Sequence, residues 1–293
     1  MIYSQDSSDL EYIILGKGST ILVFEIGIGS SIYNWWSFIQ ELKNDFTVVV
    51  YHRAGYGKSK VSSKPRDVKN IAMELDSLVN HLEINEKFVL AGHSFGGLCA
   101  QQYAKMHPQK LKAVILIDST SFNFQKLYDL NLPVMYSHIS MEKMIESNML
   151  SSERTREQLE NDFHDAIQEA RRNIPEELIG QFVDFFTRPV FFRTIAEEFQ
   201  HWHKDSELIK DSGPFPELPL TVIARDERLS ALPFIEYGIP EEEATLHEKV
   251  WRELQIELSQ MNSKGQLVIA EGSDHEVHKD RPDLLIECLL GYK

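Results

Sequence analysis

Four short runs in the first 120 positions of this 293-residue chain are apolar at nearly every position: ILVF at 21–24, TVVVY at 47–51, FVLA at 88–91 and AVILI at 113–117. A strand with one wet face alternates polar and apolar residues. Continuous β-branched runs therefore predict strands buried on both faces, which requires helices on either side of the sheet. Sequence of that kind lies between them. Ile71, Leu75, Leu78, Val79 and Leu82 recur at helical spacing, and GLCAQQYAKMHP reads as a second helix that stops near Pro108. The alternation predicts βαβ units and an α/β fold with a mostly parallel sheet.

After Asp118 the pattern changes. Residues 119–216 carry little strand signal. Leu159, Phe163, Ile167 and Ala170 are spaced as one amphipathic helix, and Phe182, Phe185, Phe186, Phe191, Phe192, Phe199 and Trp202 crowd the stretch that follows. This predicts an inserted helical layer whose aromatics chiefly form its own core, a few of them also facing a pocket. Strand-like sequence returns as PLTVIA at 219–224 and GQLVIA at 265–270. A helical stretch at 241–261 separates them, and a closing helix follows over 284–290. With no repeat or linker-like tract, the organisation expected is one catalytic core, 1–118 plus 217–293, interrupted by a helical cap at 119–216.

Composition narrows the partners. At 42% hydrophobic and 26% charged residues the chain is ordinary for a soluble globule, and a net charge of −15 at pH 7 would repel nucleic acid and anionic membranes. A small-molecule substrate is the partner expected, with oligomeric state left open. The N-terminal stretch MIYSQDSSDLEYIILGKG has no basic segment followed by an apolar one, and no apolar run approaches the ~20 residues that span a bilayer; a cytoplasmic protein is expected. Cys99 and Cys288 fall in helical segments and read as small buried hydrophobes, not a disulfide. His201 and His203 lack further ligands at metal-binding spacing, so neither a metal nor a cofactor is expected.

The stretch VLAGHSFGGLCAQ, 89–101, joins a buried strand to a helix through Gly-His-Ser-Phe-Gly. A strained strand-to-helix turn lifts a serine oxygen off the sheet, and the glycines let strand and helix pass closely, so Ser94 is the candidate nucleophile. A hydroxyl near its free pKa needs a base and an orienting acid. His275, in the polar loop AEGSDHEVHKDRP after the last strand, is the candidate base; His278, farther from the strand end, suits a surface role better. For the acid, Asp226 in ARDERLS ranks ahead of Asp118 at the end of the strand after the nucleophile helix, with Glu227 third. The backbone amides of Phe95 and of Ile28, in the glycine-rich loop FEIGIGSS, are the candidate oxyanion donors.

These motifs together resemble the α/β-hydrolase fold superfamily, in particular its capped lipase- and esterase-like serine hydrolases. The elbow GHSFGG matches that family's form. HRAGYGKS at 52–59 is similar to its D-x-R-G-x-G-x-S loop, and SDHEVHKDRP resembles its terminal histidine segment. Two departures stand out. Ile26-Gly27 replaces the His-Gly of many members, and a clean Gly-x-x-Asp after PLTVI is missing, which keeps Asp118 open as the acid. The resemblance implies a small or medium carboxylic ester as substrate, hydrolysed through an acyl-enzyme. An amidase or iminopeptidase, a carbon–carbon bond hydrolase or a perhydrolase would use the same residues, and a non-catalytic receptor for a small apolar ligand is the alternative of a different class. Serine at the elbow disfavours haloalkane dehalogenase and epoxide hydrolase chemistry.

Overall fold

The structure, a computed structural model, describes residues 2–3 and 9–293. Its centre is an eight-stranded sheet in the order β1-β2-β4-β3-β5-β6-β7-β8. These are β1 (Ile2–Tyr3), β2 (Tyr12–Leu15), β3 (Thr20–Glu25), β4 (Phe46–Tyr51), β5 (Phe88–His93), β6 (Leu111–Ile117), β7 (Leu220–Arg225) and β8 (Gly265–Ala270). All six strands expected from the sequence form, and from β4 across to β8 every neighbour is parallel. The antiparallel edge, β1 on β2 and β2 on β4, went unread because YIIL is short and follows a polar terminus.

The continuous apolar runs are buried on both faces, as their composition requires. One side of the sheet packs Val23, Val49, Leu90, Val114 and Val222 against α2 (Val68–His81) and α3 (Phe95–Met106). The other packs Leu22, Phe24, Val48, Val89 and Ile115 against α1 (Trp36–Leu42) and the C-terminal helix α14 (Pro282–Leu290), which follows the short α13 (Val277–Asp280). At about 25 cal/mol per Å² of apolar surface, these two layers supply most of the drive to fold. Cys99 is buried on α3 and Cys288 half-buried on α14, both free thiols.

Seven helices lie between β6 and β7: α4 (Gln125–Tyr128), α5 (Pro133–His138), α6 (Met141–Ser152), α7 (Arg156–Asp162), α8 (His164–Asn173), α9 (Glu176–Phe186) and α10 (Pro189–Asp211). The stripe read as one helix is carried by two. α7 opens with a Thr155/Gln158 capping box and ends at Phe163 (φ −106°, ψ 21°), from which α8 restarts with Ile167 and Ala170 still buried. Phe182, Phe185, Phe191, Phe192 and Phe199 are buried in a cluster that also takes in Tyr33 and Tyr56 from outside the layer. Between β7 and β8 lie the helix expected there, α12 (Glu241–Ser259), and one not anticipated, α11 (Glu227–Glu236), which tolerates Pro233 in its interior. Among the described residues no helix is long and apolar enough to cross a membrane.

Candidate active site

Ser94 is the turn between β5 and α3. Its φ of 53° and ψ of −125° lie where a side chain is strained, at a cost of about 1–3 kcal/mol. The flanking glycines are required by proximity: a Cβ on Gly92 would sit 2.7 Å from Gly97 Cα, and one on Gly96 would sit 2.0 Å from the Glu25 carbonyl oxygen. Hydrogen bonds from Ser94 N to Ile117 O (3.2 Å) and from Thr120 N to Ser94 O (3.0 Å) tie the turn to the end of β6.

His93, the last residue of β5, is buried; its Nε2–H donates to the carbonyl of His275 at 3.0 Å, and the two rings lie 4.7 Å apart. The strand that leads into Ser94 thus also fixes the loop that carries His275. Burial pushes the His93 pKa down to about 4, with the neighbouring His275 adding to the shift, so it serves as a neutral donor.

The carboxylate that meets His275 is Asp118, not Asp226. His275 Nδ1–H donates to Asp118 Oδ2 at 2.6 Å. Asp118 is fully buried at the end of β6 with φ 38°. It also accepts from Trp251 Nε1 (2.8 Å), Arg225 N (3.2 Å) and Arg225 Nη1 (3.1 Å). Burial alone would raise its pKa; the Arg225 charge and the His275 hydrogen bond outweigh that and hold the carboxyl well below the usual range. Arg225 Nη1 also approaches His275 Nδ1 at 3.4 Å, but that nitrogen's proton is already given to Asp118. Glu248 on α12 accepts from Arg225 Nη2 (2.7 Å) and Nε (2.8 Å), neutralising it.

Asp226 is occupied elsewhere: it caps α11, accepting from the amides of Arg228 (3.0 Å), Leu229 (3.4 Å) and Gly272 (3.1 Å), and these bonds, Gly272 first, lower its pKa. Glu227 is the first residue of that helix. His278 is not a surface residue. It is buried and stacked on Trp35 at 3.7 Å, and burial pushes its pKa down to about 3. His201 Nδ1 donates to Glu197 O, and His203 faces Gln125.

The loop after β3 is held from below. Arg53, buried in the segment HRAGYGKS, donates from Nη1 to the Ile26 carbonyl and from Nη2 to the Gly27 carbonyl (3.2 Å), while Gly29 N donates to Tyr56 Oη (3.3 Å). Among the described residues the amide of Ile28 has no acceptor, nor does the amide of Phe95 at the first turn of α3. His52 Nε2 accepts from Ile32 N (2.9 Å), and its Nδ1–H donates to Glu11 (2.8 Å). Sequence reading singled out HRAGYGKS but not the roles of Arg53 and Tyr56, and it missed Trp251 and Glu248, which come from a helix more than 120 positions after Asp118. Trp202 packs on Phe95 at 5.6 Å, bringing α10 against the elbow.

The arrangement sets an imidazole oriented by an ionised carboxylate on the residue that precedes a strained serine, with two unengaged amides in the flanking turns. A family profile described as alpha/beta hydrolase fold matches residues 20–223. Pimeloyl-(acyl-carrier protein) methyl ester esterase of Pseudoalteromonas atlantica is 36% identical over 114 residues, 38% of this chain and 41% of that protein. The chain spans about two fifths of the length of curated relatives it matches. A malate-bound thermophilic esterase from Thermogutta terrifontis superposes with a TM-score of 0.61 at 19% identity, over 97% of this chain and 93% of that one. The epoxide hydrolase CorEH superposes at 0.65 and 18%, over 97% and 94%. At such identities the structural likeness is one of fold.

Proposed function

Because this chain belongs to the α/β-hydrolase fold family, we propose that it is a serine hydrolase acting on small or medium carboxylic esters through Ser94, His275 and Asp118. The observation that carries this reading is the 2.6 Å bond from His275 Nδ1 to buried Asp118, with His275 docked by its own carbonyl on the neighbour of Ser94. That bond fixes the tautomer whose Nε2 lone pair can accept a proton.

In this reading His275 Nε2 removes the Ser94 proton as Oγ attacks the ester carbonyl. The amides of Phe95 and Ile28 take the developing oxyanion. Collapse expels the alcohol with the proton from His275, leaving an acyl-enzyme. Water, deprotonated by the same imidazole, then releases the acid. The insertion acts as a cap whose aromatic layer, reaching the elbow through Trp202, favours apolar acyl or alcohol groups.

A fluorophosphonate probe tests the nucleophile: the folded wild-type protein should be labelled at Ser94, found by peptide mass spectrometry, and Ser94→Ala should be neither labelled nor active on p-nitrophenyl esters. A folded wild-type protein that takes up no label would refute the reading.

A further inference from the structure

The insertion sends two carboxylates of α10, Glu198 and Asp205, into the core, and Glu198 lands on the residues that hold the loop after β3. Glu198 of α10 is fully buried. Its Oε1 accepts from Arg53 Nε (2.9 Å), and its Oε2 accepts from Tyr56 Oη–H (2.6 Å) and Arg53 Nη2 (3.3 Å). Arg53 in turn holds the carbonyls of Ile26 and Gly27, and Tyr56 holds the amide of Gly29. The carbonyls of Ile26 and Gly27 and the amide of Gly29, on either side of Ile28, are therefore engaged by two side chains that meet on one carboxylate. The amide they leave open is the one a reacting oxyanion needs.

We propose that Glu198 is a positioning residue: through Arg53 and Tyr56 it sets the loop that presents the Ile28 amide, so that seating the insertion and assembling the oxyanion hole are one event. The inference rests on the serine-hydrolase reading above. Glu25 also binds Arg53, through Nη1 at 2.9 Å, but it lies on β3 itself and does not touch Tyr56. It can neutralise the arginine without fixing the direction of the guanidinium. The carboxylate of Glu198 does both, accepting side-on from Nε and Nη2 in the two-point geometry that orients an arginine plane. A displacement of an oxyanion donor by about 1 Å is enough to cost on the order of a hundredfold in rate.

Two variants test the proposal: Glu198→Gln, which keeps the shape and loses the charge, and Tyr56→Phe, which keeps the packing on Phe185 and Phe191 and loses only the hydroxyl. Each should lower kcat on a p-nitrophenyl ester roughly ten- to hundredfold with KM little changed. Affinity for a trifluoromethyl ketone, whose serine adduct carries an oxyanion, should fall in parallel, while affinity for the product acid stays. A purely structural role would lower the melting temperature and leave the ratio of ketone to acid affinity intact. That outcome, or wild-type kcat in folded Tyr56→Phe, would overturn the proposal even if Glu198→Gln failed to fold. Loss of ester turnover in the wild-type protein would instead count against the serine-hydrolase reading.

Discussion

Two aspartates just past the ends of the adjacent strands β6 and β7 differ by what surrounds them. Asp118 is buried, paired with Arg225 and bonded to His275; Asp226 is half-buried and spends both oxygens on backbone amides. Replacing Asp118 with Asn removes the acceptor that fixes the imidazole, and kcat on a p-nitrophenyl ester should fall about 10³–10⁴-fold. Asp226→Ala should leave kcat near wild type and cost about 1 kcal/mol in chemical unfolding, the usual value of a lost helix cap. Sequence ranked these two the other way round because both stand at strand ends, where either could face the histidine. What separates them is tertiary: the Trp251 indole and the Glu248 carboxylate that neutralises Arg225 arrive from α12. The elbow was legible for the opposite reason. Strand, turn glycines, serine and helix are contiguous, so Gly92 to Gly97 states its geometry locally.

At the scale of elements, the fold was readable wherever one side-chain period persisted and misread where a break interrupted it. The parallel strands announce themselves by short apolar runs, buried at nearly every position except in the half-buried edge strand β8. The stripe from Leu159 to Ala170 keeps its face across Phe163, so periodicity could not reveal the end of α7. α11 was hidden by Pro233 and by charges that read as a loop, although Asp226 followed by a helical run is an N-cap signal. The contact of β3 with α3 leaves no room for a side chain, since Gly96 packs directly on the Glu25 carbonyl. Gly96→Ala must push the helix off the sheet. Urea unfolding should show a loss of about 1–3 kcal/mol, and fluorophosphonate labelling of the remaining folded protein should slow as the Phe95 amide shifts.

Across the whole molecule, the join between insertion and core carries a titratable group with an opposite sense to most carboxylates. Asp205 on α10 is buried, accepting from Val68 N (3.0 Å) with its other oxygen unpartnered. Burial, with Asp67 and Glu198 nearby, pushes its pKa up to about 8 against the opposing Val68 hydrogen bond. The folded protein therefore holds a proton that the unfolded chain releases above its ordinary carboxyl range. Asp205 favours folding most below about pH 4, and this contribution is lost as pH rises through about 8. Urea titrations at about pH 5 and about pH 8.5 should show wild-type stability dropping more than that of Asp205→Asn. An equal drop in both would place the linkage elsewhere.

The point at which the insertion leaves the sheet has a bearing on ancestry and engineering. It departs immediately after Asp118 and returns through β7 to Arg225, the two charges that hold each other at 3.1 Å. A crossover between relatives at those stems carries half of a charge pair and the whole of α10 with it, setting a foreign residue opposite Arg53. The segment α4 to α9 contains neither Asp118, Arg225 nor Glu198. On the ester-hydrolase reading it is the part in which the range of accepted substrates can drift, provided that Phe185 keeps its packing on Tyr56.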